Sequence, residues 1–198
     1  MRIVGGRHKG RPLRAPEGEG VRPTRGLPRE SLFNILTHGR FAADGNPLVD
    51  ARVLDAFAGS GANGLEALSR GAAEAVFMET QAAAISALRQ NLQSLGEEAN
   101  ATVAQADVLH PPRAAAPCRV AVLDPPYGQG LAPDALHALA ARGWLAEGAL
   151  VAVELLKTED LTPPAGFEVL DTRTYGKAKL VFLGYGMDDA APGNPADA

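Results

Sequence analysis

From Ala51 onward the chain alternates short apolar runs with helix-period segments, and that alternation limits the folds open to it more than any other feature. "RVLDAF" (Arg52–Phe57) reads as a buried strand and runs into a glycine-rich turn, followed by the helical segment "NGLEALSRG", with Gly71 as its stop signal. "AEAVFMET" and the amphipathic "QAAAISALRQNLQSLG" repeat the pattern, and "ATVAQADV", "CRVAVLDPPY", "PDALHALAARGWL" and "GALVAVELL" continue it. Strand–helix–strand units joined by right-handed crossovers bury a parallel sheet between helical layers. The pattern changes at the end, where "FEVLDTRTYG" and "KAKLVFLGYG" are two strand-like runs around Gly176. They predict a closing hairpin, giving an α/β fold of seven mostly parallel strands with an antiparallel edge.

The first 40 residues do not follow this rhythm. "RIVGG" and "GRPLRAP" flank a basic, glycine-containing turn and suggest a small hairpin, and "PRESLFNILTHGRF" spaces Leu32, Phe33, Ile35 and Leu36 as one helix face, with Pro28 suited to a first turn. The expected organisation is a basic arm over residues 1–40 packed on a catalytic domain over 41–186, with a polar Pro/Gly-rich disordered tail over 187–198. Charge sharpens this division. The chain carries −4 overall, yet residues 1–40 hold nine Lys/Arg against Glu17, Glu19 and Glu30, so the arm is +6 and the remainder −10. A basic arm on an acidic body suits a polyanionic partner, although a solvated basic surface would look the same. Apolar runs fall far short of the ~20 residues that cross a bilayer, no apolar signal-peptide core follows the basic N-terminus, and Cys118 is the only cysteine. A cytoplasmic protein is expected.

"AGSGANG" contains Gly59-x-Gly61-x-x-Gly64, the spacing of a dinucleotide fingerprint, between a strand and a helix where such a turn belongs. Its glycines let backbone approach a ligand near a helix N-terminus. Asp55 ends the first strand four residues earlier, and a pyrophosphate there would be repelled. S-adenosylmethionine carries an ammonium and a sulfonium and no phosphate, so an acidic cradle suits it better. Glu79, ending the second strand, can take both ribose hydroxyls, and Asp107, closing the third, can take the adenine amine. The expected cofactor site comprises Asp55, Phe57, Ala58, Gly59, Ser60, Gly61, Glu79, Thr80, Asp107 and Val108, joined by Asp124. NAD(P) on the same fingerprint, in an oxidoreductase, is the alternative.

"VLDPPYGQG" (Val122–Gly130) sends the fourth strand into a carboxylate, two prolines and a tyrosine. The prolines remove donors and fix the turn. An exocyclic amine on a nucleobase is a poor nucleophile because its lone pair is delocalised into the ring. Acceptors on both N–H bonds, the carboxylate of Asp124 and the carbonyl of Pro125, draw that pair back onto nitrogen, and Tyr127 can stack on the base. Asp124, Pro125, Pro126 and Tyr127 are therefore the expected catalytic turn. A purely structural turn is the bland alternative. His8, His38, His110 and His137 have no metal-site spacing, and no metal is expected. Cys118 and Trp144 read as core residues, and Tyr175 could border the target pocket or simply pack.

With both motifs in view, the chain resembles the class I S-adenosylmethionine-dependent methyltransferases, in particular the bacterial RsmD type that methylates guanine N2 in small-subunit ribosomal RNA. The resemblance runs through "MRIVGGRHKGRPL", "RPT…RESLFNIL", "DAFAGSGANGLEALSRGA", "FME", "DPPYG" and "YGKAKLVF". It implies a Rossmann-like methyltransferase domain, ribosomal RNA as partner (within an assembled small subunit), a monomer, and an unpaired or flipped-out target base. It also implies that Arg7, Lys9, Arg11, Arg22, Thr24 and Arg29 face RNA or cover the cofactor, although Arg29 could equally pair with Glu30 or Asp124 within the structure. Where the family has an Asp-Arg pair after "RPT", this chain has Arg25-Gly26-Leu27-Pro28, so that pair's role does not transfer. The catalytic turn would serve DNA adenine N6 or a protein glutamine equally, and a non-catalytic RNA-binding module would share the arm.

Overall fold

The computed structural model describes residues 1–16 and 26–187, with side chains in the second stretch from Arg29. Arg22, Thr24 and the tail from residue 188 lie outside the described residues. In chain order the regular elements are α1 (Gly26–His38), β1 (Arg52–Ala56), α2 (Ala62–Ser69), β2 (Glu74–Glu79), α3 (Ala82–Leu95), β3 (Ala101–Gln105), β4 (Cys118–Leu123), α4 (Ala132–Ala141), β5 (Leu145–Leu156), β6 (Phe167–Tyr175) and β7 (Ala178–Tyr185).

The seven strands form one sheet in the order β3-β2-β1-β4-β5-β7-β6. Strands β1 to β5 pair in parallel, and β1 lies between β2 and β4, so the chain order reverses there. The terminal hairpin closes the sheet, but its antiparallel strand is not the outermost one. Strand β7 runs antiparallel to both β5 and β6 and takes the inner position, leaving β6 at the edge. Composition explains the order: "AKLVFLGY" is apolar enough to be buried from Leu180 to Gly184, whereas "FEVLDTRTY" keeps most of its residues in contact with water. The passage from β3 to β4, residues 106–117, crosses without a helix. Its prolines disfavour one, and the Trp144 indole secures it by donating to the Pro112 carbonyl at 2.8 Å.

The sheet separates two cores. On one face Val53, Phe77, Val122, Ala152 and Phe182 meet α2, α3 and α1; on the other, Leu54, Met78, Leu123, Val153 and Leu183 meet α4, Cys118 and Trp144. Burial pushes the Cys118 thiol up to about 12, so it stays protonated and packs as an apolar group. Among the described residues no helix is long and apolar enough to cross a membrane.

The N-terminal segment is built into the first of these cores. Ile3, Leu13, Leu32, Phe33 and Leu36 are buried with Val53, Leu65 and Leu68. Arg2 and Pro12 form an antiparallel bridge, flanked by bonds between Ile3 and the carbonyl of Arg11 and between Gly10 and the carbonyl of Ile3. Every residue of α2 is consequently buried, since the sheet covers one side and the N-terminal segment another. Polar ties pin this cover. Glu66 on α2, fully buried, accepts the Val4 amide at 2.9 Å and the Arg70 guanidinium at 2.8 Å, and Ser69 bonds to Gly5, Arg7 and His8. Farther along, Asn91 on α3 exchanges bonds with the Arg14 backbone and also donates to the Ser60 carbonyl, linking the segment to the glycine turn.

Gly6 makes this docking possible. Its φ is +72°, and a Cβ there would fall 1.8 Å from the Ser69 carbonyl oxygen. Gly6→Ala is therefore expected to cost about 1–3 kcal/mol through backbone strain and separation of the segment from α2. Thermal unfolding should record a midpoint ~3–8 °C lower, and limited proteolysis should cut within residues 1–16 sooner than in the wild type.

Candidate active site

The carboxyl ends of β1, β2 and β4 meet where the strand order reverses, the point at which open α/β sheets bind ligands. After β1 the chain turns abruptly, with Phe57 at φ +61°, Gly59 at +54° and Gly61 at +82°. The three fingerprint glycines do different things. A Cβ on Gly64 would strike the Phe77 ring at 2.3 Å, so this glycine lets α2 lie close on β2, whereas Gly61 is required by its φ of +82° and would meet only the end of the Leu88 side chain on α3. Gly59 has nothing within 4 Å of that position, so its side of the turn is open.

Asp55 is 1% exposed, and its Oδ2 accepts the Gly64 amide at 2.8 Å. Among the described residues Oδ1 has no hydrogen-bond partner. Burial, reinforced by the charges of Asp124 and Glu79, pushes this carboxyl up to about 8 even though the Gly64 bond opposes it. Glu79 is held differently: its Oε2 accepts the Gly59 amide at 2.8 Å, and Oε1 accepts those of Thr80 and Gln81 at 2.8 and 2.9 Å. A carboxylate thus occupies the Gly59 donor that a dinucleotide pyrophosphate would need, an arrangement that disfavours NAD(P). Phe57 is half-buried, while Ala58 and Ser60 of the turn and Val108 after β3 are buried. Asp107 stands at the surface beyond β3, where bonds from His110 and the Leu109 amide hold its carboxyl below the usual range.

Asp124 follows β4 directly, its amide lying 3.4 Å from the Ala56 carbonyl of β1. Pro125 is buried, whereas Pro126 and Tyr127 are exposed. The Tyr127 hydroxyl donates to Oε1 of Glu154 at 2.5 Å, and Glu159 accepts the Gly128 amide at 2.9 Å, so the turn is tied to the end of β5. Glu154 and Glu66 are buried carboxylates near these elements that the motifs did not reveal.

The basic residues separate into groups. Arg29, expected to face RNA, is instead 1% exposed and donates to the Arg2 carbonyl at 2.6 Å, with Glu66 3.9 Å away. The cause is helical period: Arg29, Leu32, Phe33 and Leu36 share one face of α1, and that face is buried. Burial pulls its guanidinium down from the ordinary value, opposed by the charges of Glu66, Asp55, Glu154 and Asp124. Arg7 is half exposed and makes a two-toothed pair with the buried Glu97 at 2.6 and 2.8 Å, beside His8. Arg11 reaches the Ser94 carbonyl at 2.6 Å, and Lys9 is exposed. Among the described residues no cluster of His, Cys, Asp or Glu is arranged to hold a metal ion.

Several known proteins are similar to this chain. Over 155 residues it is 41% identical to the ribosomal RNA small subunit methyltransferase D of Escherichia coli K12, covering 78% of this chain and 74% of that one. The protein of the same name from Haemophilus influenzae is 35% identical over 181 residues, covering 89% of both chains. Among solved structures, the Escherichia coli yhhF protein superposes with a TM-score of 0.76 at 35% identity, covering 93% of this chain and 97% of that one. Residues 1–184 match the family model described as conserved hypothetical protein 95, and the chain belongs to that family, an RsmD-type methyltransferase family with a Rossmann-like fold.

Proposed function

We propose that this protein is an S-adenosylmethionine-dependent enzyme that methylates the exocyclic N2 amine of a guanine in small-subunit (16S) ribosomal RNA. The juxtaposition of Asp55 and Asp124, two carboxylates at the ends of directly paired strands, with the open Gly59 turn following the first, carries this reading. The site fits a cationic cofactor on its own terms. A buried carboxyl with an unpartnered oxygen gains most from a positive group, and the space beside Gly59 admits one. Asp55 and the Phe57–Gly61 turn would hold the methionine end, Glu79 and Thr80 the ribose, and Asp107 and Val108 the adenine. When bound, the cofactor supplies a methyl group on a positively charged sulfur, which leaves as a neutral thioether.

The remaining steps belong to the chain. Asp124 and the Pro125 carbonyl accept the two amine N–H bonds and return lone-pair density to the nitrogen, Pro126 keeps the turn from relaxing, and Tyr127 supports the base plane. The methylated amine is cationic, and its proton passes to Asp124 or to water. Lys9, Arg11 and the exposed half of Arg7 offer cations to phosphate, and Arg22 and Thr24 are assigned to the same RNA contact. The enzyme acts as a cytoplasmic monomer on the assembled subunit.

Methyl transfer from tritiated S-adenosylmethionine tests the reading, with small subunits lacking this methylation, naked ribosomal RNA and DNA offered in parallel. We expect label on the subunits, recovered as N2-methylguanine. Label confined to DNA or protein would overturn the ribosomal assignment while leaving the cofactor; binding of NAD(P) in place of S-adenosylmethionine would overturn both.

A further inference from the structure

Glu154 lies outside both motifs, yet it is a carboxylate buried to 3% exposure near the end of β5. Strand register fixes its surroundings. Leu123 pairs with Val153, so the residues that follow them, Asp124 and Glu154, stand level at the ends of β4 and β5. Val122 and Ala152 belong to the core on the α1 and α2 face, and strand period carries Asp124 and Glu154 to that same face. Arg29 is buried in that layer, and its positive charge and the Tyr127 hydrogen bond both oppose the upward push of burial on the Glu154 carboxyl.

Tyr127 is buried at one end only. Its hydroxyl is bonded to Glu154, while the residue as a whole remains 37% exposed. A second tie stops the turn from swinging, because Glu159 accepts the amides of both Gly128 and Leu156. An apolar residue in "VAVELL" would serve the strand at no desolvation cost, so a carboxylate there calls for a specific partner. We propose that Glu154 is a positioning residue that anchors the Tyr127 ring as the platform for the target base, with Arg29 as its buried counter-charge. The assignment rests on the reading above in that the ring supports the substrate, while the tie itself does not depend on it.

Two measurements on the full chain test it. The protein has three tyrosines, and their ionisation is read by absorbance near 295 nm. Burial and Glu154 push the Tyr127 hydroxyl upward, so its phenol should ionise late. Glu154→Gln should bring that phenol down, and Tyr127→Phe should delete it. In methyl transfer, each variant should lower kcat about tenfold with KM for the RNA changed less than about threefold, and the double variant should be no worse than the poorer single one. Cofactor affinity should stay near wild type in both variants, while Glu154→Gln, which removes a counter-charge of the buried Arg29, should lower the unfolding midpoint by a few degrees.

A delayed phenol indifferent to Glu154→Gln, an unchanged kcat, or losses that multiply in the double variant would each overturn the proposal. Should the wild type methylate no nucleic acid at all, the functional reading fails together with the platform role, and the phenol titration still decides whether the tie exists.

Discussion

Asp124→Ala is expected to reduce methyl transfer by about 10²–10³-fold, the usual cost of removing one preorganised polar partner from a reacting group. The loss should fall on kcat, because the carboxylate acts most strongly on an amine nitrogen that is gaining positive charge. Asp124→Asn keeps an acceptor oxygen but not the charge, and should recover part of the rate. Cofactor binding offers an independent check. Asp124 helps to raise the Asp55 carboxyl, so removing its charge should move the pH at which Asp55 ionises downward. Calorimetric titration with S-adenosylmethionine across pH, beside single-turnover transfer on the RNA substrate, would separate the two effects. Normal transfer by Asp124→Ala would remove the "DPPY" turn from the chemistry.

The elements forming the sheet were legible because period-two and period-3.6 patterns leave strong marks, and because Gly71 and Gly96 stop α2 and α3 where their spacing says. The order of β6 and β7 was not, since chain order says nothing about which strand of a hairpin faces the sheet. The glycine turn and the "DPPY" turn were legible as motifs, because rigid turns need rare residues at fixed spacing. Of the two roles open to Arg29, the structural one holds: its position in the Leu32, Phe33 and Leu36 period points inward, and the RNA contact that the resemblance implied does not fit a buried guanidinium. Glu154 left a fainter mark, one carboxylate inside an apolar run. Only the β4–β5 register and the reach of Tyr127 give that residue a partner, and neither is encoded locally. Glu66 is similar, a charge on a helix whose burial depends on a segment some 60 residues earlier.

Asp55→Asn should weaken S-adenosylmethionine about 10- to 100-fold near pH 8, the scale of one hydrogen bond to a charged group. The same substitution should make the fold more tolerant of rising pH. Asp55 has an ordinary value of 3.8 and is raised to about 8 in the fold, so folding takes up a proton between those values. The folded state therefore binds more protons than the unfolded one, and this carboxyl costs the wild type progressively more stability as pH climbs from about 4 to about 8, then a constant amount. Asparagine cannot ionise, and its carbonyl can still accept the Gly64 amide. The variant's unfolding midpoint should gain on the wild type through that window, by ~2–4 °C for each 1 kcal/mol recovered, with about 6 kcal/mol as the ceiling set by the full shift. Binding should change in the opposite sense. A cation favours ionised Asp55, so wild-type affinity should rise about tenfold or more from pH 6 to 7.5 as the proton is displaced, while the variant's stays flat over that range. Unfolding scans and calorimetry at matched pH would read both. If the variant gains stability but keeps wild-type affinity and slope, the buried carboxyl is a cost without a ligand; if it loses stability at every pH, Asp55 serves the turn alone. A simultaneous gain in stability and loss of affinity would show that the fold tolerates a strained carboxylate for the sake of the cation it receives.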